Sequence, residues 1–236
     1  MPFDTKQAAR ERVWSTLEDE GLARFPFPPQ GRIPNFAGAQ DAAARLVDQP
    51  LLREADRVKV NPDAPQRFVR QALLEAGTRV FVPTPRLRGG FKRLDPDAIA
   101  AEDLADAAKL SQMDAHAEPV DLDELPAMDA IVAGSVAVTR EGRRAGKGEG
   151  YTDLEYAILR ELGHPDTPVA TTVHPVQIVD GLPRDDTDVP LSLVVSPEEA
   201  IRVDETPPAP EGIDWTKLDE DRIEEMPVLA EMRQRS

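Results

Sequence analysis

Ala130-Ile-Val-Ala-Gly-Ser-Val-Ala-Val-Thr139 leads into Arg140-Glu-Gly-Arg-Arg-Ala-Gly-Lys-Gly-Glu-Gly-Tyr151, which is followed by Thr152-Asp-Leu-Glu-Tyr-Ala-Ile-Leu159. The first part, Ala130–Thr139, is an apolar run of the kind that forms a buried strand. The last part has helical apolar spacing, which predicts a helix over Thr152–Leu162 with Gly163 just past its end. The stretch therefore predicts a strand–loop–helix unit of an α/β sheet.

The loop of this unit has the composition of a phosphate-binding loop. Its glycines alternate with other residues, and backbone without Cβ atoms can adopt positive φ and turn its N–H groups toward an anion. A helix N-terminus follows, with unpaired donors and the positive end of the helix dipole. Three side chains add full positive charge. The candidate phosphate-binding residues in the loop are Arg143, Arg144, Gly146, Lys147, Gly148 and Gly150.

The glycine spacing matches neither of two common phosphate loops. A Walker A loop needs four residues between Gly and Gly-Lys, and the dinucleotide pattern is GxGxxG, whereas the gaps here are one and one. A bare GxGxG is also typical of a flexible hairpin loop, but the flanking strand and helix and the three cations favour a phosphate cradle. Asp153 is either a helix cap or a carboxylate that faces phosphate through Mg²⁺.

Strands and helices alternate along much of the chain. Such alternation indicates βαβ units and a mostly parallel sheet that is covered by helices on both faces. Strands are predicted at Arg57–Val60, Arg79–Val82, Ala130–Thr139, Val169–Val173 and Leu191–Val195; helices at Gln40–Val47, Ala64–Ala76, Pro96–Leu110 and Thr152–Leu162; and an extended Pro-rich loop at Phe25–Phe36.

The first helix carries an unusual pair of cations. It is predicted over Asp4–Glu20, with Gly21 ending it, and Lys6 and Arg10 share a stripe with apolar residues. The pair is either a solvated helix end or two cations that reach an anionic ligand. Arg86 has similar alternatives: it follows a predicted strand at the edge where ligands bind in α/β sheets, or it is a solvated loop arginine.

The chain is predicted to have two parts. Residues 1–204 form the α/β domain, and residues 205–236 form a Pro-rich linker over Glu205–Gly212 and a polar C-terminal helix over Lys217–Arg233. We expect this helix to pack back on the domain through Ile223, Val228 and Leu229.

The composition limits the class of protein. The formal net charge is −16, with 22 Arg, 6 Lys and 44 acidic residues spread along the chain. Nucleic-acid binding normally requires the opposite sign of charge. An even, lysine-poor acidity indicates solubility in concentrated salt, as in a halophile, whereas binding of a basic partner would favour a localised acidic patch.

Several other classes of protein are excluded by residue content. The chain has no cysteine, and its three histidines are scattered, so disulfides, thiol nucleophiles and histidine-rich metal sites are not expected. It shows no apolar run of about 18 residues and no signal-peptide pattern. We expect a cytoplasmic protein, and the oligomeric state stays open.

The glycine loop is also a recognisable family signature. Gly142-Arg-Arg-Ala-Gly-Lys-Gly-Glu-Gly-Tyr-Thr-Asp153 resembles that of the 5-formyltetrahydrofolate cyclo-ligase (methenyltetrahydrofolate synthetase) family. Its methenyltetrahydrofolate synthase domain-containing branch is similar over nearly the whole chain, in Gly31–Phe36, Val58–Asp63, Val82–Arg88 and Gly134–Val138. The resemblance implies a three-layer α/β/α fold, Rossmann-like and of the NagB/RpiA/CoA transferase-like kind.

The resemblance also implies a reaction and a set of site residues. The family closes 5-formyltetrahydrofolate to 5,10-methenyltetrahydrofolate with ATP and Mg²⁺, through phosphorylation of the formyl oxygen. The implied small-molecule ligands are therefore a reduced folate or related pterin and ATP. By resemblance, phosphate ligands are Lys6, Arg10, Arg144, Gly146, Lys147, Gly148, Gly150 and Tyr151, with Asp153 on the Mg²⁺ side and Arg144 and Lys147 as the catalytic cations.

Two departures from the ligase pattern affect the folate side. The family's Glu-Thr-like pattern is replaced by Asp63-Ala-Pro-Gln66, so Asp63 is the candidate substitute for the folate-binding carboxylate. The ligase His-Asp reads His174-Pro175 here, and His174 is either a packed strand-end residue or a ligand contact. These departures leave an alternative open: a nucleotide-binding regulatory or RNA-associated family member without ligase activity.

Overall fold

The computed structural model describes residues 2–235, in which twelve strands and eight α-helices are assigned. The strands are β1 (Ala23–Arg24), β2 (Asn35–Phe36), β3 (Arg57–Val60), β4 (Arg79–Pro83), β5 (Phe91–Leu94), β6 (Glu118–Val120), β7 (Ala130–Val132), β8 (Ala137–Val138), β9 (Arg144–Ala145), β10 (Val169–Thr172), β11 (Leu193–Val195) and β12 (Ala200–Arg202). The helices are α1 (Lys6–Asp19), α2 (Ala39–Val47), α3 (Pro50–Arg53), α4 (Gln66–Glu75), α5 (Leu104–Ala107), α6 (Tyr151–Glu161), α7 (Glu220–Glu225) and α8 (Pro227–Arg235).

Eight strands form one central sheet in the order β12-β11-β10-β7-β3-β4-β5-β6. The pairs among β11, β10, β7, β3 and β4 are all parallel, whereas β12, β5 and β6 join the edges in antiparallel pairs. The predicted mostly parallel α/β sheet is confirmed. Because neighbouring β7, β3 and β4 run in the same direction, the loops after their carboxyl ends lie at one edge of the sheet.

Helices cover both faces of this sheet, which gives the predicted three layers. Side chains alternate between the faces of a strand, so Val80 and Val82 of β4 pack with α2 and α4, while Phe81 packs on the opposite side. That second side is covered by α6 and by the C-terminal helices, through residues that include Ile223 and Leu229. A third cluster, which includes Trp14 and Leu17, lies beneath α1.

Three predicted elements differ from the structure. The helix expected over Pro96–Leu110 is reduced to a 3₁₀ turn and the four-residue α5. The strand expected over Ala130–Thr139 leaves the central sheet after Val132, and its second half becomes β8. The C-terminal helix is divided at Pro227, since proline lacks the N–H that would continue α7.

The C-terminal residues share the main core, because Met226, Val228, Leu229 and Met232 are buried in the same cluster as α6. The boundary at residues 204 and 205 stays a prediction. Within residues 2–235, no helix is both long and apolar enough to cross a membrane.

Candidate functional site

A β-hairpin carries the glycine loop away from the central sheet. After β7 the chain forms β8, turns at Gly142 and returns as the antiparallel β9. Gly142 has φ of 81°, and a Cβ there would collide with the carbonyl oxygen of Leu191, so only glycine fits this turn. The loop over residues 146–150 then connects β9 to α6. The hairpin was unforeseen, but it delivers the loop to a helix N-terminus as predicted.

The loop favours glycine at two positions, because their φ angles are positive. Gly148 has φ of 113°, and Gly150, which caps α6, has φ of 69°. Arg10 reaches the loop from α1 and donates from Nε to the carbonyl oxygen of Gly146 at 2.7 Å. Burial and the nearby Arg144 lower the pKa of Arg10 from its ordinary value. The structure therefore brings Arg10 and the glycine loop together.

Arg144 ties the loop to the sheet and to α6. Its side chain is buried, with Nη1 donating to the carbonyl oxygen of Gly134 at 3.0 Å and Nη2 donating to Oδ1 of Asp153 at 2.6 Å. The backbone N–H of Val189 donates to the same Asp153 oxygen at 3.0 Å. Both bonds to Asp153 end on Oδ1, so Oδ2 is the oxygen that could meet a cation.

Lys6 forms ion pairs with two carboxylates. Its Nζ is 2.8 Å from Oδ2 of Asp185 and 2.5 Å from Oδ2 of Asp188. The charge and hydrogen bond of Lys6 lower the pKa of Asp185. The acidic turn over residues 185–188 therefore belongs to the same region as Arg10, although no sequence pattern connects it with α1.

Lys147 and Asp63 lie on the other side of the loop. Lys147 pairs with Glu149 at 2.7 Å. Burial raises the pKa of Asp63 to about 6, and the charge of Lys147 opposes this rise. Asp63 lies so close to Gly134 that a Cβ atom added to this glycine would be 2.5 Å from Oδ2 of Asp63. The carboxylate that sequence reasoning placed near the folate thus lies beside the loop lysine.

A buried polar network beneath this region was missed by the sequence reasoning. Lys59 of β3 is 1% exposed and pairs with the buried Glu155 of α6 at 2.5 Å. Lys59 also donates to Oδ1 of Asn61 at 3.0 Å, and the amide of Asn61 donates to Thr152 at 2.8 Å. The sequence feature that indicates it is the lysine between two valines of a predicted parallel strand. Because both faces of a parallel sheet are covered, such a lysine is buried and needs a partner.

Arg86 and Tyr151 join the loop to the C-terminal helices. Nε of Arg86 donates to the Tyr151 hydroxyl at 3.2 Å, and that hydroxyl donates to Glu225 at 3.0 Å. Arg222 stacks on the Tyr151 ring, with its guanidinium carbon 4.6 Å from the ring centroid. It also donates to the carbonyl oxygen of Glu149 at 2.5 Å. Sequence reasoning identified Arg86 and Tyr151 but not their partners on α7.

Two candidate residues lie away from this group. Arg143 donates to the carbonyl oxygen of Leu182 at 2.7 Å and lines neither of the cavities described below. His174 caps a short 3₁₀ helix, its Nδ1 accepting from the N–H of Val176, and its ring meets the edge of Phe36. Its pKa is lowered by burial. In this position His174 has the contacts of a packed strand-end residue.

Two cavities meet at the glycine loop. The first, of about 400 Å³, contains Asp63, Arg86, Lys147 and Glu155. The second, of about 340 Å³, contains Lys6 and Arg10 together with residues of the C-terminal segment. Residues common to both walls are Arg144, Gly146, Glu149, Gly150 and Asp153. Ligands in the two cavities would therefore both contact this wall, which is formed by the glycine loop with Arg144 and Asp153 beside it.

Comparison with known proteins identifies relatives of the chain. A model of the 5-formyltetrahydrofolate cyclo-ligase family matches residues 6–197. The methenyltetrahydrofolate synthase domain-containing protein of Mus musculus is 42% identical over 98% of this chain and 64% of its own length. The 5-formyltetrahydrofolate cyclo-ligase of Escherichia coli (strain K12) is 28% identical over 68% of this chain and 88% of its own length. The chain spans less than two thirds of the mouse relative.

A solved structure gives the same result for the fold. The 5,10-methenyltetrahydrofolate synthetase of Aquifex aeolicus aligns with a TM-score of 0.53 over 86% of this chain and 95% of its own, at 18% identity. The family match over most of the sequence shows that this chain belongs to the 5-formyltetrahydrofolate cyclo-ligase family, and the shared fold agrees with it.

Proposed function

We propose that the chain is an ATP-dependent cyclo-ligase that converts 5-formyltetrahydrofolate, or a related reduced pterin, to the 5,10-methenyl product. The observation that carries this proposal is the pair of cavities that share the glycine loop as a wall. Direct transfer of a phosphoryl group requires two ligands whose reacting atoms meet at one place, and a shared wall provides such a place. Family membership supports the same reaction.

The second cavity is proposed to hold ATP. Lys6 and Arg10 line it, as do glycines of the loop. Backbone N–H groups in a positive-φ turn and at a helix N-terminus suit phosphate oxygens. Phosphate binding would compete with Asp185 and Asp188 for Lys6, so these carboxylates hold the lysine side chain in place until the nucleotide arrives.

The first cavity is proposed to hold the reduced folate. Its lining combines the apolar Ile33 with Asp63 and Arg86. A carboxylate suits the N–H donors of a pterin ring, and the exposed guanidinium of Arg86 suits an anionic tail. Asp63 supplies the carboxylate in place of the family's Glu-Thr-like pattern. His174 and Arg143 have no part in this assignment.

The chemistry requires positioning and neutralisation of charge. The formyl oxygen attacks the γ-phosphorus, a P–O bond forms, and the bond to the bridging oxygen of ADP breaks. N10 then attacks the imidate carbon, phosphate leaves, and the N10 proton is lost. Arg144 lines both cavities and Lys147 lines the first cavity beside the shared loop, where they would stabilise the negative charge on the transferring group. No protein nucleophile is required.

The residues present suit Mg²⁺ as the accompanying ion. Within residues 2–235 no cluster of three or more His, Cys, Asp or Glu side chains could hold a metal ion unaided. Mg²⁺ commonly binds one or two carboxylates and completes its shell with phosphates and water, and Oδ2 of Asp153 fits that need. When bound, the ion would neutralise charge on the phosphate oxygens.

One assay tests the proposal against its alternative. The purified chain, in high potassium chloride, is mixed with MgATP and 5-formyltetrahydrofolate, and formation of the methenyl chromophore is followed by absorbance. We expect the chromophore to require both substrates. Absence of the chromophore, together with clear MgATP binding, would overturn the ligase function and favour a nucleotide-binding protein without ligase activity.

A further inference from the structure

The C-terminal segment, defined here as residues 210–225, contributes a wall of the second cavity. The family model ends at residue 197, so this wall lies beyond the matched part of the chain. Pro210, Ile213 and Leu218 line the cavity from this segment, and Leu154 and Ala157 line it from α6. Ile213, Leu218, Leu154 and Ala157 also pack in one hydrophobic cluster. This part of the cavity is therefore apolar.

The same cavity has a cationic part. Lys6 and Arg10 line it together with the glycine loop, and the C-terminal segment adds Lys217 and Arg222. Carboxylates of the 185–188 turn and of Asp214 line the same cavity and pair with the two lysines, so an anionic ligand would replace them there. A cavity that combines an apolar wall with cations and backbone donors suits a ligand that is part flat and apolar and part anionic. Nucleotides have this chemistry, because a planar base is joined to a chain of phosphates.

We propose that the C-terminal segment forms the base-binding wall of the nucleotide site, with Leu218 and Ile213 packing against the purine ring. This inference rests on the proposed function, in which the second cavity holds ATP. Phosphates are held by α1 and the glycine loop, and the base is held between α6 and the C-terminal segment. The nucleotide site is incomplete without residues beyond the family domain.

The segment is held in place relative to the phosphate loop. Arg222 donates to the carbonyl oxygen of Glu149 at 2.5 Å and lies over the ring of Tyr151. Glu225 accepts from the hydroxyl of Tyr151 at 3.0 Å. These contacts connect α7 to both the loop and the first residue of α6, so the base wall and the phosphate donors keep a fixed spacing.

The test distinguishes contacts to the base of the nucleotide from contacts to its phosphates. Binding of MgATP and of inorganic tripolyphosphate is measured by titration calorimetry on the full chain and on Leu218→Gln. Leu122→Gln is the matched control, because Leu122 is also a partly buried leucine against the same cluster but lies outside the second cavity. We expect Leu218→Gln to weaken MgATP about tenfold and to leave tripolyphosphate within twofold. Leu122→Gln should change neither affinity.

Two results would overturn this inference. Unchanged MgATP affinity in Leu218→Gln would show that the base binds elsewhere. Equal losses for MgATP and tripolyphosphate would show that the segment acts through the phosphate loop instead. Thermal unfolding of both variants confirms that they are folded. If the wild-type chain makes no methenyl product while Leu218→Gln shows the selective loss, the ligase function fails and the base wall stands.

Discussion

Lys147 is the residue on which the phosphate assignment depends most directly. It lines the first cavity beside the shared loop, where the γ-phosphate would meet the formyl oxygen. Its side chain is 35% exposed and its ammonium pairs with Glu149, so a ligand can reach it by displacing one ion pair. Replacement by alanine removes one charge-assisted contact. We expect Lys147→Ala to weaken MgATP binding about tenfold while the unfolding temperature stays nearly unchanged.

Lys109 offers a matched control for that experiment. Its side chain is 36% exposed and it pairs with Asp106 at 2.5 Å, yet it lies on α5's side of the sheet and outside both cavities. Lys109→Ala removes one positive charge, as Lys147→Ala does, so the two variants have the same net charge. Equal MgATP affinities in the two variants would show that Lys147 does not bind phosphate.

Asp63 predicts a specific dependence of stability on pH. Its pKa is raised from 3.8 to about 6, chiefly by burial, so the folded state keeps this proton at pH values where the unfolded state has lost it. The stabilisation is complete below pH 4 and is lost as pH rises to 6 and beyond. A shift of this size corresponds to about 3 kcal/mol, and the partial exposure of Asp63 reduces the expected change to about 2 kcal/mol.

The measurement is a difference between two chains, since many other carboxylates titrate in the same range. Urea unfolding of the wild type and of Asp63→Asn is compared at pH 4 and at pH 7. The wild type should lose about 2 kcal/mol relative to the variant over that interval. A difference that stays constant, or one that grows in favour of the wild type, would contradict the raised pKa.

Single residues also show where sequence reasoning reached its limit within the site. Arg143 and Arg144 are neighbours with the same side chain, and the composition of the loop made them equivalent. In a strand, successive side chains point to opposite sides, and β9 directs Arg144 to Asp153 and Arg143 to Leu182. The choice depends on the pairing register of the β8–β9 hairpin, which the sequence did not reveal.

At the level of elements, α6 has a glycine with positive φ at each end. Gly150 at its N-terminus has φ of 69° and Gly163 after its C-terminus has φ of 86°, and a Cβ at either would meet open space. Alanine is therefore strained but not blocked at both positions, which costs about 1 kcal/mol of stability each. Calorimetric unfolding should show similar losses for Gly150→Ala and Gly163→Ala.

The two variants should differ in ligand binding. Gly150 turns the loop into the helix N-terminus and lies between the two cavities, whereas Gly163 is a turn at the far end of the helix. We expect Gly150→Ala to weaken MgATP at least fivefold and Gly163→Ala to leave it unchanged. Equal affinities would mean that the loop conformation has no part in binding phosphate.

Elements with strong periodicity were predicted well, and short polar ones were not. The strands β3, β4 and β10 and the helices α1, α2, α4 and α6 follow from apolar spacing and from Gly or Thr at their ends. The strands β5 and β6, at one end of the sheet, carry charged residues such as Lys92-Arg93 and Glu118, so neither has an apolar run to reveal it. β5 pairs with β4 and β6 pairs with β5, through contacts that the local sequence does not indicate.

The network between β3 and α6 escaped prediction for a related reason. A lysine in a short strand and a glutamate in a helix look like solvated charges when each is considered alone. They become a buried pair, Lys59 with Glu155, because β3 lies in the middle of the sheet and α6 covers that face. The glycine loop, by contrast, has its functional residues next to one another in the sequence. A site of this kind can be predicted without knowledge of the fold.

Over the whole molecule, several of the few cations of a strongly acidic chain are gathered at the site. The net charge is −16, yet Lys6, Arg10, Arg144 and Lys147 come from distant parts of the chain to the walls of two adjoining cavities. Carboxylates line the same walls and pair with these cations, as Asp188 does with Lys6 and Glu149 with Lys147, so an anionic ligand would bind by replacing them. The repulsion among the remaining acidic residues acts against the compact state.

This repulsion predicts that salt stabilises the fold. Raising potassium chloride from 10 mM to 1 M shortens the screening length from about 30 Å to about 3 Å, so repulsion between surface carboxylates falls sharply. The unfolding temperature at pH 7 should rise by several degrees, with much of the rise complete by a few hundred millimolar. Sodium chloride at equal ionic strength should give the same rise, since screening depends on ionic strength and not on the identity of the ion. A flat or falling unfolding temperature would show that paired charges, such as Arg79 with Asp95, outweigh the net repulsion, and a response to potassium alone would point to ion binding instead of screening.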